Sequence, residues 1–249
     1  MDQSIVLFII VGFVAQMVDG ALGMAYGVSS STFLLSLGVP PAIASASVHT
    51  AEIFTSGVSG LSHVRLGNVD RDLFKRLVIP GILGGVAGAY LLVSLPGHLI
   101  KPVVAVYLLG MGIVILYRAI DGKRLSQRAL TNPTPLGIAG GFLDAIGGGG
   151  WGPIVTSTLV ARGNNPRLSI GTVNTAEFFV TLSQVIAFLT VVGLTNWPAI
   201  AGLIIGGVIA APLAAIVCKK LPARRLMAVV GVLIIALSAR TIYLAALEL

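Results

Sequence analysis

The sequence predicts an all-α integral membrane protein with two inverted-topology repeats, each a glycine-broken helical hairpin plus three transmembrane helices. Three observations lead to this fold class. Of the 249 residues, 56% are hydrophobic and only 10% are charged, too few charges to solvate a soluble domain of this size. The chain also repeats itself. Finally, equivalent loops of the two repeats carry basic residues in opposite patterns, which reverses their predicted orientation in the membrane.

An offset of 125 residues superposes the first half of the chain on the second. Chance does not readily align rare intramembrane acids, a proline and several glycines in two apolar segments. We therefore expect a first repeat at 1–118, a basic cytoplasmic linker at 119–134 and a second repeat at 135–249. The matched pairs include Asp19/Asp144, Gly23/Gly148, Gly27/Gly152, Pro41/Pro166, Thr50/Thr175 and Glu52/Glu177.

Apolar runs, interrupted at glycine, proline and charged turns, predict five helical segments in each repeat. The second segment of each repeat has only eleven or twelve residues. At about 1.5 Å per residue it covers roughly half of the hydrocarbon core and is expected to be a half-helix. The predicted segments are 4–20, 27–38, 42–63, 73–94 and 99–118, then 136–147, 152–162, 167–192, 198–218 and 225–247.

Basic residues predict the orientation of these segments. They cluster at 64–76, 118–128, 162–167 and 219–225, which marks the cytoplasmic side. The connection after the third segment is basic in the first repeat, whereas its counterpart at 193–198 is uncharged. The connection after the fourth segment shows the reverse pattern, because it is basic in the second repeat and not in the first. Equivalent loops are therefore expected on opposite sides of the membrane, with both termini outside.

The first two segments of each repeat are separated by a glycine-rich break, DGALGMAYG at 19–27 and DAIGGGGWGP at 144–153. Each break opens a half-helix whose free N–H groups, positive dipole end and hydroxyls could cradle an anion. The alternative is that the glycines allow close helix packing and the hydroxyls bond the preceding turn. The candidate substrate-binding residues here are Gly23, Tyr26, Gly27, Ser29 and Ser30, with Gly148, Gly149, Gly150, Trp151, Gly152 and Thr156.

The third segment of each repeat carries an acid, Glu52 or Glu177, about 15 Å into its helix and therefore near the midplane. An ionised carboxylate is costly there, so each is expected to be protonated, hydrogen-bonded or paired. The two glutamates are interpreted either as proton-coupling groups or as structural acids. Asp19 and Asp144 are expected to cap backbone N–H groups of the breaks. Further candidate substrate contacts on these segments are Ser47, His49, Thr50, Thr172, Asn174 and Thr175.

No motif indicates catalysis. Three histidines and one cysteine are scattered along the chain, and the run Gly147–Gly150 is not followed by the Gly-Lys-Ser/Thr of a P-loop. The sequence therefore predicts no enzyme, no cofactor and no metal site. The net charge of +7 is assigned to an anionic cytoplasmic leaflet rather than to nucleic acid.

The duplicated glycine-rich hairpin, the turn HVRLGNVD at 63–70 and the basic central loop resemble the sulfite exporter TauE/SafE family. The resemblance implies a carrier of the bacterial inner membrane, an exporter of sulfur-containing anions such as sulfite or organosulfonates. The first hairpin, with Met24, Ala25 and Tyr26, is poorer in glycine than the second. A homodimer is compatible with the sequence.

The residues by themselves indicate a secondary transporter, because inverted repeats, broken helices and midplane polar groups occur together in that class. The sulfur chemistry comes from the resemblance alone. The alternative is a cation transporter in which Asp19, Asp144, Glu52 and Glu177 are ionised ligands of a metal ion or Na⁺.

Overall fold

The computed structural model describes residues 3–22, 24–121, 130–217 and 223–247. These residues form helices joined by short turns, and the described ranges contain no strand. The all-α prediction is confirmed. Gly23 and residues 122–129, most of the predicted linker, lie outside the described residues.

Helices begin and end within a few residues of the predicted segments. A π-helical turn at Gly152–Thr156 runs directly into α7, so the second half-helix is split. The helices are α1 (Gln3–Leu22), α2 (Tyr26–Ser36), α3 (Pro41–Arg65), α4 (Arg71–Ser94), α5 (Gly97–Asp121), α6 (Thr134–Gly147), α7 (Ser157–Ala161), α8 (Pro166–Val191), α9 (Trp197–Val217) and α10 (Ala223–Leu247).

The turn between α3 and α4 shows how side chains define the ends of these helices. Asp70 is the N-cap of α4, because its Oδ1 accepts hydrogen bonds from the backbone N–H groups of Asp72 at 2.9 Å and Leu73 at 3.1 Å. The N–H of Asp70 in turn donates to the Thr172 hydroxyl at 2.8 Å. The turn is thereby tied to α8.

The largest helix interfaces join the two predicted repeats. α1 packs on α9 and α6 packs on α4, while α3 packs on α8 and α5 on α10. Small residues allow the backbones to approach closely, as is typical of helix packing in membranes. At Gly12 of α1, for example, an added Cβ would lie 2.8 Å from the Cα of Leu203 in α9. The first helix of each predicted repeat therefore packs on the fourth helix of the other.

Three helices of the described residues are long and apolar enough to cross a membrane. Shorter apolar stretches occur in α1, α9 and α10. Helix α3 is as long as α5, at 25 residues, but it carries serine, threonine, histidine and glutamate side chains along its buried face. The polar face of α3 therefore lies in the interior, against α8, while Phe54, Val58 and Leu61 are exposed on another face. The three candidate spans are Arg71–Ser94, Gly97–Tyr117 and Arg167–Val191.

Replacing Gly84 by alanine is expected to destabilise the crossing of α4 and α6. The new Cβ would lie 2.9 Å and 3.0 Å from the backbone C and Cα atoms of Ile138, which cannot rotate away. Overpacking of this kind costs about 1–3 kcal/mol, so thermal unfolding in detergent should occur at a lower temperature. Gly110 in α5 is the matched control, because no atom lies within 4 Å of its added Cβ. An equal loss of stability in G84A and G110A would contradict this packing.

Candidate functional site

The second hairpin is held together by Asp144 in the last turn of α6. Its Oδ1 accepts hydrogen bonds from the backbone N–H groups of Gly150 at 2.7 Å and Trp151 at 2.9 Å. Gly148 and Gly149 lie in the chain between Asp144 and these two residues. Their φ values are +66° and +154°, a region that favours glycine. The predicted capping role of Asp144 is confirmed, and the break is satisfied by a carboxylate of its own hairpin.

The first hairpin is held more loosely. Asp19 accepts a single long hydrogen bond, 3.4 Å from the backbone N–H of Tyr26. Ala25 precedes α2 with φ of +111°, the only described non-glycine residue with positive φ, and such a conformation costs an L-residue roughly 1–2 kcal/mol. The two hairpins match in sequence but differ in how firmly they are fixed.

The breaks of the two hairpins meet backbone to backbone. An added Cβ at Gly27 would lie 2.6 Å from the Cα of Gly149 and 3.0 Å from the carbonyl oxygen of Gly148. The Ser31 hydroxyl donates to that same Gly148 carbonyl. The Ser45 hydroxyl of α3 donates to the carbonyl of Ala145 at 2.6 Å. The structure therefore brings Gly27 of the first predicted repeat against Gly148 and Gly149 of the second.

Three titratable side chains meet beside this contact. His49, Glu52 and Asp144 are buried, and one ligand atom of each lies within 4.8 Å of the others. The His49 Nε2 atom is 3.3 Å from Asp144 Oδ2. Glu52 Oε1 lies 3.4 Å from the position of an added Cβ at Gly27. Glu52 and Asp144 come from different predicted repeats, so the cluster joins the two.

Two residues of the site were missed by the sequence analysis. Gln184 of α8 donates from Nε2 to Asp144 Oδ2 at 3.0 Å and to the Gly141 carbonyl at 3.2 Å. The Tyr107 hydroxyl of α5 donates to the Gly149 carbonyl at 3.3 Å. A glutamine within an apolar run of the sequence was an available signal for Gln184. Nothing local distinguishes Tyr107 from a tyrosine that only packs.

Several buried polar atoms near the cluster have no hydrogen-bond partner. They include His49 Nδ1 and Glu52 Oε2, whereas His49 Nε2 contacts Asp144 Oδ2 as described above. The hydroxyls of Ser29 and Ser30 in α2 are also without a partner. A buried unpaired polar group costs about 1–3 kcal/mol, so such groups commonly mark the place of a ligand or water. These atoms are the strongest structural indication of a binding site in the described residues.

Other predicted hydroxyls are already engaged within their own helices. Ser47 donates to Ile43, Thr50 to Ala46 and Thr175 to Gly171, with distances of 2.6–2.7 Å to the carbonyl oxygens. Thr172 accepts from the turn before α4, as described above. Their role as substrate contacts stays a prediction, as does that of the buried Asn174 and Thr156.

The two hairpin aromatics are anchored to neighbouring helices. The Tyr26 hydroxyl donates to the carbonyl of Leu203 in α9, and Trp151 Nε1 donates to the carbonyl of Val173 in α8, both at 3.1 Å. Both side chains are almost completely buried. Their geometry is that of fixed supports for the half-helices that begin at Tyr26 and Gly152.

A helical protein with apolar spans, two interior backbone breaks and unpartnered polar groups beside them has the organisation of a membrane transporter. The chain belongs to the sulfite exporter TauE/SafE family, whose family model matches residues 8–241. It is 42% identical over 250 residues to a protein of Bacillus subtilis (strain 168) described as "Probable membrane transporter protein YtnM"; the match covers 96% of this chain and 83% of that relative. No solved structure matches the chain. The protein is thus a multi-pass membrane transporter, in agreement with the prediction that it is not an enzyme.

The unequal fixing of the hairpins predicts unequal effects of two matched substitutions. Asp144→Ala removes the acceptor of two backbone N–H groups and of Gln184, and is expected to lower stability by about 2–4 kcal/mol. Asp19→Ala removes one long hydrogen bond and should lower it by less than about 1 kcal/mol. Thermal unfolding of both variants in the same detergent measures the difference. A loss in D19A as large as that in D144A would refute the asymmetry.

Proposed function

We propose that the protein is a secondary-active exporter of a small sulfur-containing oxyanion, such as sulfite or an organosulfonate. The anion binds between the two glycine hairpins, near the membrane midplane. The observation that carries this proposal is the contact between Gly27 and Gly149 beside buried, unpartnered polar groups. Helix N-termini and hydroxyls are suited to an oxyanion, and the sulfur chemistry follows the family.

The hydroxyl donors come from the first hairpin. Ser29 and Ser30 have unpartnered hydroxyls, whereas Ser157, one helical turn beyond Pro153, donates to the Pro153 carbonyl. Ser29 also lines an apolar cavity of about 260 Å³ between α1, α2 and α10. Ser30 is fully buried next to Ser31, which contacts the second hairpin, and is therefore the better donor to the anion.

The buried acids must not repel the anion. Glu52 and Glu177 interact electrostatically with each other and with Asp144 and Asp19. Ionised carboxylates beside an oxyanion would disfavour its binding, so the two glutamates stay neutral or carry a coupled proton during transport.

Transport proceeds by rocking of one repeat against the other, with the repeats inverted across the inner membrane and both termini outside. The packing of α1 on α9 and of α6 on α4, with α3 on α8 and α5 on α10, supports a two-fold relation between the repeats, while the inversion is proposed from the loop charges. It pairs equivalent helices in the way that a two-fold axis between the repeats requires.

A cation transporter is the second candidate function. It is favoured by the ligand atoms of His49, Glu52 and Asp144, which lie within 4.8 Å of one another. In that case the carboxylates are ionised and the anion cradle has no role.

A ligand screen on the purified protein separates the two candidates. Thermal unfolding is followed in mild detergent at about pH 6 and about pH 8, on either side of the ordinary histidine pKa, with sulfite, sulfate, sulfoacetate, taurine, Mg²⁺, Mn²⁺ and Na⁺. A ligand that binds the folded state raises its unfolding temperature. Stabilisation by a sulfur oxyanion supports the proposal. Stabilisation by a cation alone, lost in Glu52→Gln, establishes the second candidate instead.

Substitution of Ser30 by alanine is expected to weaken anion binding roughly tenfold or more. A hydrogen bond to a charged group contributes about 1.5–3 kcal/mol, and each 1.4 kcal/mol is a factor of ten in affinity. Ser157→Ala is the matched control, because that hydroxyl is bonded within its own half-helix. Binding of sulfoacetate is measured by titration calorimetry for both variants. Equal affinity in S30A and the unaltered protein would remove Ser30 from the site.

A further inference from the structure

An apolar groove runs along the half-helix α2, on the side that faces away from the second hairpin. Helix α2 packs on both α1 and α10 and forms the floor of this groove, which has a volume of about 260 Å³. Ser29 and Phe33 line it from α2. Each lies two residues beyond Gly27 or Ser31, which contact the second hairpin, and two residues of a helix point in nearly opposite directions. The groove is therefore separate from the proposed anion site.

The groove opens on the surface of the helical assembly. Ile10 and Val14 of α1 and Leu233 of α10 lie at its rim, with exposed fractions of 54%, 48% and 47%. Among the described residues that line it, only Ser29 is polar. The rim residues belong to apolar stretches of α1 and α10. In a membrane such a surface faces acyl chains, so the groove opens to lipid.

An arginine lies at one end of the groove. Phe33 and Leu237 line it from α2 and α10. Three residues further along these two helices, Arg240 Nη1 donates a hydrogen bond to the carbonyl oxygen of Ser36 at 2.6 Å. Arg240 is exposed, and no ion pair joins it to a described acid. Because a guanidinium has five N–H donors, Arg240 can bind an anion while it holds α2.

We propose that this groove binds an anionic phospholipid, whose acyl chain lies along α2 and whose phosphate binds Arg240. From Leu233 to Arg240 the groove follows α10 for about 10 Å, at 1.5 Å per residue. An apolar cavity of about 150 Å³ is large enough for benzene, so this larger groove has room for a segment of an acyl chain. An apolar channel that ends at a cation matches the order of chain and phosphate in a phospholipid.

The position of Arg240 agrees with that of a lipid headgroup. It lies near the end of the apolar stretch Gly231–Leu244 of α10. Tyr243 follows within one helical turn and is 65% exposed. Tyrosine and arginine at the end of an apolar helix are typical of the membrane–water interface, where phosphates lie. The same end of the groove therefore offers both the charge and the depth that a phosphate requires.

The charge of Arg240 determines which lipid binds best. Arginine forms paired, charge-assisted hydrogen bonds with phosphate. The choline group of phosphatidylcholine adds a positive charge beside the same phosphate, whereas phosphatidylglycerol stays negative. The groove therefore favours the anionic lipid, although its apolar part accepts the chain of either. A bound chain covers the face of α2 opposite the hairpin contact, and so stabilises the half-helix that carries Ser30.

Native mass spectrometry of the full-length protein in mild detergent measures the binding of phosphatidylglycerol and phosphatidylcholine with identical acyl chains. We expect phosphatidylglycerol to bind about tenfold more tightly, the difference that one charge-assisted hydrogen bond makes. It should also raise the unfolding temperature more than phosphatidylcholine does. Glycerol phosphate, which has the phosphate without the chains, should not stabilise the protein at the same concentration.

Two pairs of variants test the two parts of the site. Arg240→Gln should lower the affinity for phosphatidylglycerol to that for phosphatidylcholine. Arg65→Gln is its control, because Arg65 is also exposed at the end of a helix and the change in charge is the same. Val14→Trp fills the rim of the groove and should weaken both lipids. Val208→Trp is the matched control on α9, since Val208 is 40% exposed and does not line the groove.

Three results would overturn the lipid site. The first is equal affinity for the two lipids in the unaltered protein, or a preference for phosphatidylglycerol that persists in R240Q. The second is lipid binding in V14W as tight as in V208W. The third is stabilisation by glycerol phosphate equal to that by phosphatidylglycerol, which indicates an anion site without a chain. Should R240Q fail to fold, the preference of the unaltered protein and the comparison of V14W with V208W decide the question. Because none of these measurements uses a sulfur oxyanion, the lipid site and the proposed function fail independently.

Discussion

The structure depends on one constraint, that backbone interrupted inside a membrane must find its hydrogen-bond partners within the protein. The second hairpin meets it with Asp144, which binds two N–H groups of the break and is itself held by Gln184. The first hairpin contacts the second through the Ser31 hydrogen bond and through the packing of Gly27 against Gly149. Each break is thus capped by an acid of its own hairpin, and the two hairpins meet through Ser31 and Gly27.

The two hairpins, which match in sequence at an offset of 125 residues, are chemically unequal. Asp144 is saturated with donors, whereas Asp19 has one long hydrogen bond. Thr32 and Ser157, which match at this offset, both donate to the carbonyl four residues before them, whereas Ser30 has an unpartnered hydroxyl and matches Val155. The second hairpin is therefore the more firmly fixed of the two, and the unpartnered hydroxyls of Ser29 and Ser30 lie in the first.

The polar face of α3 shows the cost of placing polar side chains inside a bilayer. Its serine, threonine, histidine and glutamate residues keep it out of the set of helices apolar enough to span a membrane by composition. It is accommodated because α8 and the hairpins cover it, and because most of its hydroxyls bond their own backbone. The polar atoms left over, on His49 and Glu52, are those that face the junction of the repeats.

The sequence alone determined the helix positions, the two breaks and the capping by Asp144. These follow from local patterns: apolar length, glycine and proline punctuation, and an acid a few residues before a break. Only the tertiary structure decided which hydroxyls stay unpartnered, and that Gln184 and Tyr107 reach the second hairpin. It also placed His49 against Asp144 of the other repeat. Such contacts depend on how helices far apart in the chain cross, and that geometry leaves no mark in the spacing of residues along one helix.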